Sequence, residues 1–163
     1  MYIHILKINL MNELPEVNRV KKTRAFLLDT VKDLSIEKLN IVPPGFSNNI
    51  IWHLGHLIAS QQGICYLRPG LPPVVEEYLV QLFKSGTKPE RFFNAEEAET
   101  IKQTLFSSLD QLNTDLQHNL FANYTTWTTR YGVELKSIDD ALQFMLFHEG
   151  LHSGYVTYMK RLI

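Results

Sequence analysis

Between Asn94 and Leu120 the apolar residues Ile101, Leu105, Leu109, Leu112, Leu116 and Leu120 recur at steps of three and four. A strand alternates its faces every two residues, so this spacing predicts an amphipathic helix. Asn94 is the expected N-cap, and Glu96, Glu97 and Glu99 sit well against the positive end of the helix dipole. Three more segments read the same way. The first runs from about Leu14 to Leu34, with Val17, Val20, Leu27, Val31 and Leu34 on one stripe; Ser35 starts a short turn, and Pro43-Pro44-Gly45 stops any continuation. The second is expected to start at Ser47 as N-cap and to end before Pro69-Gly70. The fourth runs from Ser137, where Asp140 approximates a capping box, to about Arg161. No strand pattern of comparable length occurs, and the expected class is all-α.

The connections bear on topology. The long segment Pro69 to Phe93 joins the second and third helices and is expected to hold a short helix from Val74 to Phe83. Such a crossover can traverse a helix bundle, which lets the helices it joins run parallel. The stretch Tyr124 to Leu135 is rich in Thr and aromatics and contains Gly132; it reads as an extended loop or short hairpin over one end.

The 163 residues, 45% of them hydrophobic, suit a single domain with a real core. Residues 1–10 are expected to form an N-terminal tail and residues 11–163 one domain, with Met11 as an alternative start. Met1 to Met11 lacks the apolar stretch and cleavage site of a secretory signal, and no run reaches the ~18 apolar residues of a membrane span. A cytoplasmic location and no membrane partner are therefore expected. Sixteen Lys and Arg against seventeen Asp and Glu leave a formal charge of −1, without the basic stripe of a nucleic-acid binder. The cluster Lys21, Lys22 and Arg24 is too short to change that. Arg24 falls on the apolar stripe of the first helix and is expected to snorkel to the surface. The single cysteine, Cys65, excludes an intrachain disulfide and reads as a small buried hydrophobe.

The seam of the fourth helix reads Ile138, Ala141, Met145, His148, His152, Tyr155, Met159 and Leu162. Two histidines thus occupy the middle of a core face. Residues at i and i+4 stack on one side of a helix, about 5–6 Å apart at Cβ, so both imidazoles can reach one metal ion. A lone histidine is most simply a satisfied core or surface residue, the reading taken for His4 and His118; the pair makes metal binding a real competitor. His148-Glu149-Gly150-Leu151-His152 also matches the H-E-x-x-H of metalloproteases formally. A protease of that type is disfavoured, because no further ligand follows His152. Glu149 is better read as a solvated residue or as a partner behind a ligand histidine. A third ligand is expected from the second helix, where His53 and His56 lie on neighbouring seams and spacing leaves both open.

The run Asn48-Asn49-Ile50-Ile51-Trp52-His53-Leu54-Gly55-His56-Leu57, followed by His148-x-x-x-His152-x-Gly154, resembles the DinB-like (YfiT-like) family of metal-dependent enzymes from about Met11 onward. The resemblance implies a four-helix bundle in up-down-down-up order. It also implies a three-histidine site for a divalent metal, zinc or nickel first, iron or manganese next. The Gly-His element falls on Gly55-His56, which makes His56 the ligand beside His148 and His152. A homodimer through helical faces is implied as well; the stripes Phe144, Phe147, Leu151, Tyr158 and Ile51, Leu54, Ile58 are compatible with it.

Three protein ligands leave coordination positions open, which favours chemistry over a closed structural site. The expected activity on a small-molecule substrate is hydrolysis or S-transfer from a low-molecular-weight thiol, with Glu149 or His53 as a helper base. The alternative is a non-catalytic, dimeric metal- or ligand-binding bundle in stress response.

Overall fold

The computed structural model describes residues 13–163. The expected tail, the alternative start at Met11 and His4 lie outside the described residues. Among the described residues are six α-helices, one π-helical segment and a two-stranded hairpin.

Helix α1 (Pro15–Val31) begins with proline, whose missing N–H costs nothing in the first turn. Helix α2 (Ile36–Asn40) is capped by Ser35, where a turn was expected. Helix α3 (Ile50–Gln61) is capped two residues after the expected Ser47. Its cap is Asn49, whose side-chain oxygen accepts from the Trp52 N–H at 2.8 Å while its amide donates to the Asn40 carbonyl at 3.0 Å. Asn49 thereby serves both helices. The chain continues from α3 as a π-helix (Gln62–Leu67). Helix α4 (Glu77–Phe83) starts later than Val74, whose N–H instead donates to the Gln62 side chain at 2.9 Å.

Helix α5 (Ala95–Gln117) opens with the expected Asn94 cap, and Glu97 returns a bond to the Asn94 N–H at 2.9 Å. It stops short of Leu120, with Asn119 in the left-handed region at φ 55°. Strands β1 (Trp127–Thr128) and β2 (Glu134–Leu135) pair antiparallel, Trp127 with Leu135 and Thr128 with Glu134. Helix α6 (Ile138–Met159) is capped by Ser137, as expected. The Asp140 carboxylate accepts from Lys136 rather than from the Ser137 N–H.

The four long helices pack in a ring: α1 lies against α5 and α6, and α3 lies against the same two. Their core has two apolar clusters. One gathers around Leu27, Ile51, Leu54, Phe83 and Leu105; the other around Val20, Cys65, Tyr66, Leu109 and Met145. Between them lies a polar layer built on Arg24, which is fully buried instead of snorkelling. Its guanidinium donates to Glu149 Oε1 at 3.0 and 2.7 Å, to Gln61 Oε1 at 3.0 Å, and to the carbonyls of Leu105 at 2.7 Å and Leu57 at 3.2 Å. All five guanidinium donors are thereby used, which is what lets the charge stay inside.

Glu149 is therefore not solvated. It is buried, and its carboxylate faces Arg24 instead of a histidine. Ile51, Leu54 and Ile58 are also not free to meet another chain: they are buried in the core because α3 is surrounded by its own neighbours. Of the α6 stripe, Phe144 is buried and Leu151 half-buried, while Phe147 and Tyr158 are exposed. No described helix is long and apolar enough to cross a membrane.

Candidate metal centre

Helix α3 presents His53 and His56 to helix α6, which presents His148 and His152. The candidate ligand atoms of His56, His148 and His152 lie within 4.8 Å of one another, close enough for one ion to take all three. Their ring centroids are 5.3 Å (His56–His148), 4.7 Å (His56–His152) and 4.4 Å (His148–His152) apart. All three rings are buried. The i, i+4 spacing on α6 sets the closest pair, as the seam predicts.

Two of the three rings are oriented by what lies behind them. His56 Nδ1–H donates to the Phe83 carbonyl at 2.6 Å, which leaves Nε2 as the acceptor. The Ser60 hydroxyl lies 3.1 Å from that Nε2. Trp52 stacks on the His56 ring at 4.5 Å and 11°. The Gly-His element has a direct cause here: a Cβ on Gly55 would come within 2.4–2.6 Å of the Phe83 ring. Only glycine lets α4 approach closely enough to bring its carbonyl to His56.

His152 Nδ1 lies 2.8 Å from His53 Nδ1, so one donates to the other. His53 stacks on Tyr155 at 5.6 Å. His53 thus stands behind His152. His148 makes no hydrogen bond among the described residues.

Burial keeps these rings neutral. It pushes His53 down to about 4, aided by the neighbouring His56. Burial first, then His56, takes His148 to about 3, and burial with His148 takes His152 to about 2. Burial lowers His56 as well, and its bond to Phe83 opposes that shift. A neutral imidazole that donates through one nitrogen, as His56 does to Phe83, keeps a lone pair on the other for a divalent ion. The donor set therefore fits a metal.

Glu149 does not reach this cluster through any hydrogen bond. Burial pushes its carboxyl up and Arg24 opposes the shift. His118 is exposed, away from the cluster. Cys65 is wholly buried, its thiol pushed up to about 12 by burial, with Sγ donating to the Met145 sulfur at 3.3 Å. It is the inert hydrophobe that the sequence suggests.

A cavity of about 270 Å³ opens over His56 and His148, with Ser60 and Phe144 in its wall and Trp127 and Arg130 of the hairpin region above. A larger groove of about 570 Å³ beside Trp52 and Lys88 does not include the histidines. The lining residues Ser60, Ile64 and Arg68 follow His56 at steps of four. On an α-helix each such step drifts about 40° around the axis. The wider turn of the π segment offsets that drift and keeps the late members on the histidine side. Ser60, Arg68, Arg130 and the Phe83 carbonyl have no signal in the sequence that ties them to the histidines.

The profile of one protein family, described as the DinB superfamily, matches residues 19–156. That span reaches from α1 nearly to the end of α6 and includes His53, His56, His148 and His152. No curated protein matches the chain.

Proposed function

The chain belongs to the DinB superfamily, and from that membership we propose that it is a metal-dependent enzyme acting on a small molecule, by hydrolysis or by S-transfer from a low-molecular-weight thiol. The observation that carries this reading is the three-histidine cluster with a cavity on one side of it. Three protein ligands and an adjoining space favour an open coordination position. A divalent ion held by His56, His148 and His152, zinc or nickel by the softness of the ligands, supplies Lewis-acid chemistry and lowers the pKa of a water or thiol beside it.

The chain's own groups do the rest. Phe83 and His53 hold His56 and His152 in fixed orientations. The Ser60 hydroxyl, at the cavity wall beside His56, hydrogen-bonds an entering nucleophile. His53 is the helper we retain, acting through His152. Arg24 occupies Glu149, which argues for a framework role and against use as a base. The ring of contacts among α1, α3, α5 and α6, with the long segment holding α4, supports an up-down-down-up bundle. Exposed Phe147 and Tyr158 on α6 support pairing with a second copy of the chain; a sedimentation measurement reading only monomer removes that part.

The test is turnover of activated esters, and of thiol plus electrophile, with protein reconstituted in zinc or nickel. Activity lost on chelation and in His148→Ala, with the melting temperature little changed, is the expected result. A large fall in melting temperature in both cases, with no turnover in the native protein, would instead mark the cluster as structural.

A further inference from the structure

The cavity over the histidines has a cationic wall that the chemistry above leaves unused. Arg68 and Arg130 both line it. Neither forms an ion pair among the described residues, whereas Arg19, Arg24 and Arg91 all do. Both are nevertheless held in place. The Arg68 guanidinium lies over the Trp127 ring, 4.5 Å from its centroid. The Trp127 indole N–H donates to the Tyr124 hydroxyl at 2.9 Å, and that hydroxyl donates to the Ile64 carbonyl at 2.8 Å. The stack is thus tied to the segment that continues from the His56 helix.

Arg130 lies over the Tyr131 ring at 4.8 Å and donates to the Tyr131 hydroxyl at 2.7 Å. Buried Thr129 fixes the turn that carries it. The Thr129 N–H donates to the Val133 carbonyl at 2.8 Å, and the Thr129 hydroxyl accepts from the N–H groups of Tyr131 at 3.3 Å and Val133 at 3.2 Å. Gly132, at φ 77°, closes the turn where a side chain would be strained. An arginine stacked on an aromatic face is already ordered and loses little freedom when it grips an anion. Two such cations without acidic partners, on the wall of a cavity whose floor is neutral imidazole, form a site that lacks its negative charge.

We propose that this cavity takes a small organic carboxylate, its anionic group bound between Arg68 and Arg130 and its remainder extending past Phe144 toward His56 and His148. Guanidinium and carboxylate match in a planar, two-bond geometry. The volume of about 270 Å³ lies just below the ~300–1,000 Å³ usual for ligand pockets, so the occupant is small. The inference names the substrate class for the activity proposed above and rests on that reading for the chemistry, but the anion site itself does not depend on a metal.

The experiment is calorimetric titration with two probes of nearly equal shape, phenylacetate and neutral phenylacetamide. The proteins are the native chain, the Arg68→Ala/Arg130→Ala double variant and His152→Ala, each with its metal content measured. Expected is a preference for phenylacetate of about ten-fold or more, the scale of a charged hydrogen bond. That preference should vanish in the arginine variant, whose fold and metal content stay native, and should survive in His152→Ala. Equal binding of both probes, no binding, or a preference that persists in the arginine variant and disappears in His152→Ala overturns the proposal. In the last case the carboxylate sits on the metal. Metal-free native protein that still prefers phenylacetate would sink the enzyme reading and leave the carboxylate site standing.

Discussion

The position of His56 depends on a methyl group that is absent from Gly55. Adding it drives a carbon into the Phe83 ring, and Phe83 carries the carbonyl that orients His56. Gly55→Ala is expected to cost about 1–3 kcal/mol, the usual range for overpacking. It should also weaken metal binding, because α4 and its carbonyl move together; chemical denaturation and a metal titration read the two effects separately. Arg24 and Glu149 call for a different pair of variants. Arg24→Met leaves a buried carboxylate without its cation, for an expected loss of about 3–5 kcal/mol. Adding Glu149→Leu should recover much of it, and a double variant no more stable than the single would show that the pair is not the source. The histidines were legible in the sequence because a polar ring in a core seam is conspicuous by identity and spacing alone. The role of Glu149 was not: the local H-E-x-x-H pattern carries no information about an arginine 125 positions away in the chain.

At the scale of elements, helix starts follow local chemistry until a tertiary bond intervenes. Asn94 and Ser137 were readable as caps because nothing nearby competes with them. Asn49 displaced Ser47 because its amide also holds the carbonyl end of α2. Asn94→Ala removes one side of the reciprocal pair with Glu97 and is expected to cost about 1 kcal/mol, measurable by urea denaturation. No change would mean that the Arg91–Glu97 pair, rather than the cap, orders this end. The π segment was not legible. Its extra room per turn has no signature in residue type, yet it decides which residues after His56 reach the cavity. The hairpin was expected only as one of two readings of Tyr124 to Leu135, since strands of two residues are too short to show a period.

Over the whole molecule, the Arg24 layer joins all four long helices between two apolar clusters, and the histidines sit where α3 and α6 face each other. Helical class was readable from periodicity; the ring of packing was not, because stripes show which face is buried and not against what. Neutral buried histidines also set a pH response. His53, His148 and His152 titrate near 4, 3 and 2 in the fold, against about 6.5 in an unfolded chain. Below about pH 6.5 the unfolded chain takes up protons that the folded one refuses, so the stability of metal-free protein is full above that pH and falls as the pH drops toward 3. Denaturation midpoints at about pH 7.5 and about pH 5 should differ in that direction; a midpoint that rises on acidification contradicts the burial of these rings. Metal binding to the folded protein should weaken only at lower pH, toward about 3, where protons begin to compete for the lone pairs of His148 and His152. The most direct test of the central claim is elemental mass spectrometry of protein purified without chelator, native against His56→Ala and His152→Ala. One divalent ion per chain in the native protein, lost in both variants, is the expected result. No metal, or the same metal in all three, would contradict the three-histidine centre.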